Sequence, residues 1–276
     1  MRWSQGVWSE KRIVQAVNAT DEFFAIPYGP SGAAPSDDIR EFELYFERLE
    51  AAGLKESKRP DVLIFEKSSR EEVDSIVHSA RGISQLPFMP ESHAYIKELL
   101  GKAIAAVGCE NSLWKAKKMP DYGKDLKPQR RLGGRLGLGK SAVLPTVILK
   151  KEDREKLQKW QDSNRVSVHI WHVFYDIAFG ISIDGAQELV QQGLILPTEQ
   201  TFQAPGGATT RKDIYKIYHH YAYCVGSTDE EPELRARFIE DKNGHILPYV
   251  HFEGGRISLH EDALGVLRKL RDAKSG

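Results

Sequence analysis

The sequence predicts a mixed α/β fold: a central mixed β-sheet flanked by helices, with a β-hairpin and further helices in the C-terminal third. Three observations predict it. Short apolar runs bounded by polar residues recur at 61–67, 103–107, 142–149 and 165–175, with the length and β-branched content of buried strands. Segments with apolar residues at spacings of three and four, the period of a helix, lie between them. Asn243-Gly244, between RARFIED and HILPYVHFE, is a strong two-residue turn signal for a hairpin.

Composition narrows the function classes. A chain of 276 residues, 41% hydrophobic and 28% charged, has ample material for one large core or two small ones. The formal net charge is zero, so a surface that attracts a polyanion must be a local one, balanced by acids elsewhere. Cys109 and Cys224 are the only two cysteines; two cannot build a disulfide framework, and no CxxC pair suggests zinc. The opening MRWSQGVWSEKR lacks the apolar centre of a signal peptide, and no apolar run is long enough for a bilayer. The expectation is a cytoplasmic protein with no membrane partner.

The elements follow in order. A short helical stretch near 9–17 precedes FFAIPYGPSGAAP, whose prolines and glycines mark a loop. In SDDIREFELYFERLEAAG, Ser36 is a good N-cap, Asp37 and Asp38 suit the first turn, and Gly53 suits the stop. Ile39, Phe42, Phe46 and Leu49 give this helix one apolar face. The strand 61–67 comes next, then a helical insertion over 70–101 and the strand 103–107. A polar, basic, glycine-rich link fills 119–141. The strand 142–149, a charged helix 151–161 and the strand 165–175 complete the order helix, strand, strand, strand, helix, strand. Beyond residue 180 the chain changes character: a helix ending at Gly193, a polar segment, the hairpin, and a last helix opened by the capping box Ser258–Glu261. The expected division is 1–180 for a core with an N-terminal extension and 181–276 for a second region packed against it.

Two acids stand at strand ends. Asp61 follows Pro60 and opens VLIF; Glu110 closes the apolar run 103–107, and Ser112, Trp114, Lys115, Lys117 and Lys118 follow it. A carboxylate at the edge of a buried strand is costly to desolvate unless it meets a cation, a metal or hydrogen-bond donors. Two of them on neighbouring strands, with lysines close by, can hold a hard divalent cation such as Mg²⁺ over a phosphodiester, because such an ion needs only one or two protein carboxylates.

This arrangement resembles type II restriction endonucleases of the PD-(D/E)xK nuclease superfamily. The likeness rests on Pro60-Asp61, on Glu110 in the following strand, on the run ENSLWKAKKMPDYG and on the order of elements between Ser36 and Tyr175. It implies a restriction-endonuclease-like core and Mg²⁺-dependent, site-specific hydrolysis of double-stranded DNA at a short palindrome, and so a homodimer. It further implies that Asp61 and Glu110 hold the metal, joined by a glutamate from an upstream helix, Glu43 or alternatively Glu47. The family usually places Lys, or sometimes Glu, two residues after the second acid; here that residue is Ser112. Either Lys115 or Lys117 supplies the amine from a shifted position, or the pattern is ExE with its first member replaced by Gly108. On the second reading the chain is a catalytically impaired DNA-binding protein.

The remaining motifs are weighed against plain alternatives. GRLGLGKS, residues 134–141, fits a phosphate-loop pattern, which would make the chain an NTPase using Lys140. Neither the strand before it nor the helix after it is predicted, so a basic loop tracking DNA phosphates through Arg130, Arg131, Arg135 and Lys140 is the better reading. Residues 199–216 are the candidate for sequence recognition: Gln203, Thr209, Thr210, Arg211 and Lys212 suit base edges and phosphates. His169 and His172 lie three apart on one strand and so face opposite sides; the histidines are read as structural.

Overall fold

In the computed structural model, described for residues 2–30, 39–54, 58–203, 209–240, 244 and 246–275, a seven-stranded mixed sheet runs through the molecule. Its strands are β1 (Phe23–Pro27), β2 (Val62–Glu66), β3 (Ala105–Asn111), β7 (Val168–Val173), β8 (Ile177–Ser182), β11 (Tyr223–Glu230) and β14 (Arg256–Leu259), in that spatial order. All neighbours are antiparallel except β3 and β7, which run parallel with Glu110 opposite His172. Helix α1 (Arg2–Asn18) covers one face through Ile13, Ala16 and Val17, beside α7 (Glu261–Ser275), which buries Leu267 there. The other face takes α3 (Arg70–Ser79), α4 (Ala94–Lys102), α5 (Lys151–Asn164) and α6 (Ile183–Gln191). Phe24, Leu63, Phe65 and Leu99 are fully buried between these layers, each contributing on the order of 1.5–3 kcal/mol.

A second sheet of three strands, β6 (Thr146–Lys150), β10 (Thr209–Tyr218) and β9 (Pro197–Gln203), lies on that same face with β6 against β7. β12 (Glu233–Glu240) and β13 (Ile246–Glu253) pair only with each other, as the turn signal predicts; Gly244 has φ 79° there, and Asn243 lies outside the described residues. β4 (Lys127–Pro128) and β5 (Leu136–Gly137) make a two-residue ladder in the glycine-rich link.

Three expectations change. FFAIP is not a loop but β1: four consecutive buried residues make a strand, and Pro27 is tolerated because β1 is the sheet's edge. The strand expected at 142–149 begins at Thr146, after Pro145, and belongs to the second sheet. It buries only alternate residues, Val147 and Leu149, whereas a central strand is covered on both faces. The helix α2 (Ile39–Ala51) forms, with the expected cap Ser36 and Asp37 and Asp38 outside the described residues; of its expected apolar face Leu49 is buried but Phe46 is exposed, and Tyr45 and Leu49 pack with Leu54 and Phe88 in a separate cluster and not on the sheet. The order expected between Ser36 and Tyr175 is met along the chain as α2, β2, β3, β6, α5 and β7, with α3 and α4 inserted after β2, but its third strand, β6, lies in the second sheet and not beside β3. The boundary expected at residue 180 falls inside β8, and β11 and β14 extend the same sheet.

Candidate functional site

Asp61 is locked in place by the chain on three sides. Its backbone N–H donates to Val107 O at 2.8 Å, tying the start of β2 to β3. Its carbonyl accepts Tyr28 N–H at 2.8 Å and Gly29 N–H at 3.0 Å. A Cβ on Gly29 would stand 2.7 Å from Pro60 O and 2.9 Å from the Asp61 Cα, so only glycine lets this segment pass so close. The side-chain Oδ2 accepts the Cys109 N–H at 2.7 Å. Arg59, buried just before Pro60, donates to Pro87 O at 3.3 Å and Glu91 Oε2 at 3.0 Å, and this polar anchor fixes how the chain enters β2. The side chain of Asp61 is 7% exposed.

Glu110 is the penultimate residue of β3, on the same face of the sheet. Its carboxylate lies 3.6 Å from Lys150 Nζ. Lys150 is the last residue of β6 and directly precedes α5, whose first turn carries Asp153. Asp153 Oδ2 lies 3.4 Å from Lys150 Nζ and 3.8 Å from Lys58 Nζ, so one carboxylate sits between two amines. Burial pushes the Glu110 carboxyl above its ordinary range, opposed by Lys150 and Lys58 and reinforced by the charges of Asp61 and Asp153. Burial acts against the Lys58 ammonium, but Asp61, Asp153, Glu110 and Glu10 outweigh it and hold its pKa above the ordinary value. The thiol of Cys109 is pushed well up by burial, and the charges of Asp61, Glu10 and Glu110 add to this. Asp61, Glu110, Asp153, Glu10, Lys58 and Lys150 thus form one electrostatic unit at the end of the sheet.

The structure brings together Asp61 and Glu110 as the sequence predicts, and separates them from the other expected catalytic groups. Lys115 Nζ lies 2.7 Å from Glu231 and 4.6 Å from the centre of the Tyr175 ring, at the base of the β12–β13 hairpin. Ser112 donates its N–H to Val173 O, and its hydroxyl accepts from Trp114 N–H at 3.4 Å. Glu47 is exposed on α2, and the side chain of Glu43 lies outside the described residues. The helical carboxylate whose charge reaches the site is Glu10 of α1, which is 4% exposed. Its only sequence signal was its place in the helical stretch near 9–17, which does not set it apart from other surface acids. Lys150 had none, because its place beside Glu110 depends on how the second sheet docks. Position 108 points into the core: a Cβ there would meet Ile170 Cδ1 at 3.2 Å, so a carboxylate would enter apolar packing.

The candidate contacts to nucleic acid divide in the same way. Arg131 donates to Leu138 O at 2.6 Å and Arg135 to Leu132 O at 2.9 Å, so both guanidinium groups shape the link they sit in. Arg130 and Lys140 are exposed on that link. Residues 142–145 after GRLGLGKS are irregular and lead into β6, so the helix that a phosphate loop needs is absent there. Thr209 and Thr210 are exposed at the start of β10. Arg211 pairs with Glu199 at 3.4 Å, and Lys212 with Glu152. Gln203 closes β9, with its side chain outside the described residues.

Among the described residues no group of three or more His, Cys, Asp or Glu side chains could hold a metal unaided. The carboxylate pair does fit a hard divalent cation of the Mg²⁺ kind: like charges are held together in a half-buried setting, and such an ion completes its shell with water and phosphate oxygens.

Residues 2–122 match the family model described as AccI restriction endonuclease. The matched stretch runs from α1 past β3 and contains Glu10, Lys58, Asp61 and Glu110. It bears out the resemblance to type II restriction endonucleases. No curated protein and no solved structure matches the chain. Among the described residues no helix is long and apolar enough to cross a membrane.

Proposed function

With the restriction endonuclease match as premise, we propose that this chain is a type II site-specific deoxyribonuclease that cuts both strands of a short palindromic DNA site in a Mg²⁺-dependent reaction. The observation that carries this is the pairing of Asp61 and Glu110 at adjoining strand ends inside the matched segment, with a lysine 3.6 Å from the second acid. Asp61 and Glu110 would hold the metal. When bound, the ion polarises the phosphoryl group and makes water a better nucleophile. Asp61 is presented by the Cys109 N–H, which orients its carboxylate before any ion arrives.

Lys150 takes the role expected of Lys115. Its ammonium lies 3.6 Å from Glu110 and, beside a metal-bound phosphate, would be a donor fixed in advance for the charge that develops there. Asp153 holds this amine together with Lys58, and Glu10 completes the acidic surround. The alternative, a catalytically impaired DNA-binding protein, rests on Gly108, and retained DNA affinity without cleavage would favour it.

Recognition belongs, on this reading, to the strands β9 and β10 and to the link with Arg130 and Lys140, while 181–276 also supplies the homodimer contact. Two-fold symmetry of a palindrome asks for a two-fold protein. Incubating the purified protein with plasmid DNA and Mg²⁺ and sequencing the fragment ends tests the reading. Discrete ends at one short palindrome are expected; intact plasmid at every Mg²⁺ concentration would refute it.

A further inference from the structure

The amine beside Glu110 comes from the second sheet, and that sheet has to be held against the main one. β6 is its edge strand, in the order β6, β10, β9. An edge strand leaves a row of outward N–H and C=O groups without ladder partners. One of these, the Ile148 N–H, is caught by a side chain of the main sheet: it donates to His172 Nδ1 at 3.3 Å. Ile148 lies two residues before Lys150 on the same strand.

His172 is placed for this by its strand. It sits opposite Glu110 in the β3–β7 pair, so the two side chains leave the sheet on the same face. It is 1% exposed and stacks on Phe174 with ring centres 4.6 Å apart. Accepting at Nδ1 requires a neutral ring with its proton on Nε2. Burial pushes the His172 pKa down to about 3, so that tautomer persists across the neutral range. The Nε2 atom is buried and has no hydrogen-bond partner among the described residues. A buried donor left unpaired has a free-energy cost, so packing alone would favour an apolar ring here. What an apolar ring cannot supply is the Nδ1 acceptor.

We infer that His172 is a positioning residue: its Nδ1 holds the free edge of β6 and thereby sets the Lys150 amine against Glu110. The role rests on the nuclease reading above, in which Lys150 acts on the phosphate. It also joins the strand pair that bears recognition candidates to the catalytic end, because Lys150 pairs with Ile214 of β10.

The test is a double-mutant cycle in the full chain. His172→Leu removes the acceptor, His172→Asn keeps an oxygen near the Nδ1 position, and both are made alone and with Lys150→Ala. His172→Leu should lower kcat about 10- to 100-fold, the scale of a misplaced catalytic group, with DNA affinity in the absence of metal unchanged. His172→Asn should recover most of the rate, and His172→Leu should cost nothing further once Lys150 is alanine. A loss that adds fully to that of Lys150→Ala, or equal loss in the leucine and asparagine variants, would overturn the role. Should His172→Leu fail to fold, amide exchange at Ile148 in the unaltered protein decides: slow exchange supports the bond, and exchange at the rate of an open edge refutes it. If Asp61→Asn cuts DNA as fast as the unaltered protein, the nuclease site itself has failed, which is a different outcome.

Discussion

The end of the main sheet at Asp61 and Glu110 and the hairpin of β9 and β10 are both dense in charge, yet they handle it in opposite ways. On the hairpin charges pair across open surface: Arg211 with Glu199 at 3.4 Å, Asp213 with Lys151 of α5 at 3.2 Å, and Lys212 with Glu152. Pairs of that kind contribute about 0–1 kcal/mol and are screened by salt. At the sheet end burial raises the Glu110 carboxyl first; Lys150 and Lys58 oppose that, and the charges of Asp61 and Asp153 reinforce it, so the net shift is still upward. Here the acids and the two lysines, Lys58 and Lys150, meet in a largely buried place, where desolvation works against the pairing. A residue type can therefore point to DNA in the sequence and still be neutralised in the fold, whereas a buried carboxyl whose pKa stays raised despite its cations is the kind of group that functional sites are enriched in.

The largest effect should come from the sheet end. Asp61→Asn keeps an oxygen for the Cys109 N–H but removes the charge, and Glu110→Gln does the same one strand away. Each should reduce cleavage on the order of 10³-fold while metal-free DNA binding and the unfolding midpoint stay near those of the unaltered protein. Near-normal cleavage by either variant would erase the contrast. Next in size is the choice of amine. Lys150→Ala should slow the reaction about 100-fold, while Lys115→Ala, which loses contacts to Glu231 and Tyr175, should stay within about threefold. The reverse ranking would return catalysis to the position expected from sequence.

Stability against pH sharpens the contrast in the sheet interior. His169 and His172 are buried as neutral rings, with pKa values held down to about 4 and about 3 by burial. The folded state thus refuses protons that the unfolded chain accepts, so the stability is complete above about pH 6.5 and is lost as pH falls towards those values. Between pH 7 and 5.5 the two rings together should remove about 2–3 kcal/mol of unfolding free energy, read from urea titrations. An unchanged midpoint at the lower pH would show that the rings are not buried in this way. The smallest effects belong to the surface cations. Lys140→Ala should flatten the dependence of log DNA affinity on log salt by about one unit, and Lys212→Ala, already paired with Glu152, by clearly less. Equal slopes in both variants would mean that the ion pair opens on binding.

Much of this was legible in the sequence, and the rest was hidden for identifiable reasons. Local pattern placed β2, β3, β7, α5, the β12–β13 hairpin and α7, since each declares itself through a run, a cap or a turn residue. The acid pair was legible because Pro60-Asp61 and Glu110 both lie at strand ends, where a charge has no packing role. β1 was obscured by the Pro and Gly of its exit, and the second sheet by the fact that β6, β9 and β10 pair across long stretches of chain. The same long-range pairing hid Lys150. No spacing along the chain announces that residue 150 faces residue 110, whereas Lys115 is near in sequence and turned towards Glu231.

One comparison of cleavage tests the Asp61–Glu110 site most directly. Plasmid DNA is incubated over a Mg²⁺ titration with the unaltered protein, Asp61→Asn and Lys150→Ala, and the fragment ends are sequenced. The account predicts discrete, Mg²⁺-dependent ends at one short palindrome for the unaltered protein, none for Asp61→Asn, and the same ends formed far more slowly by Lys150→Ala. Fragments of equal yield from the unaltered protein and Asp61→Asn would contradict it.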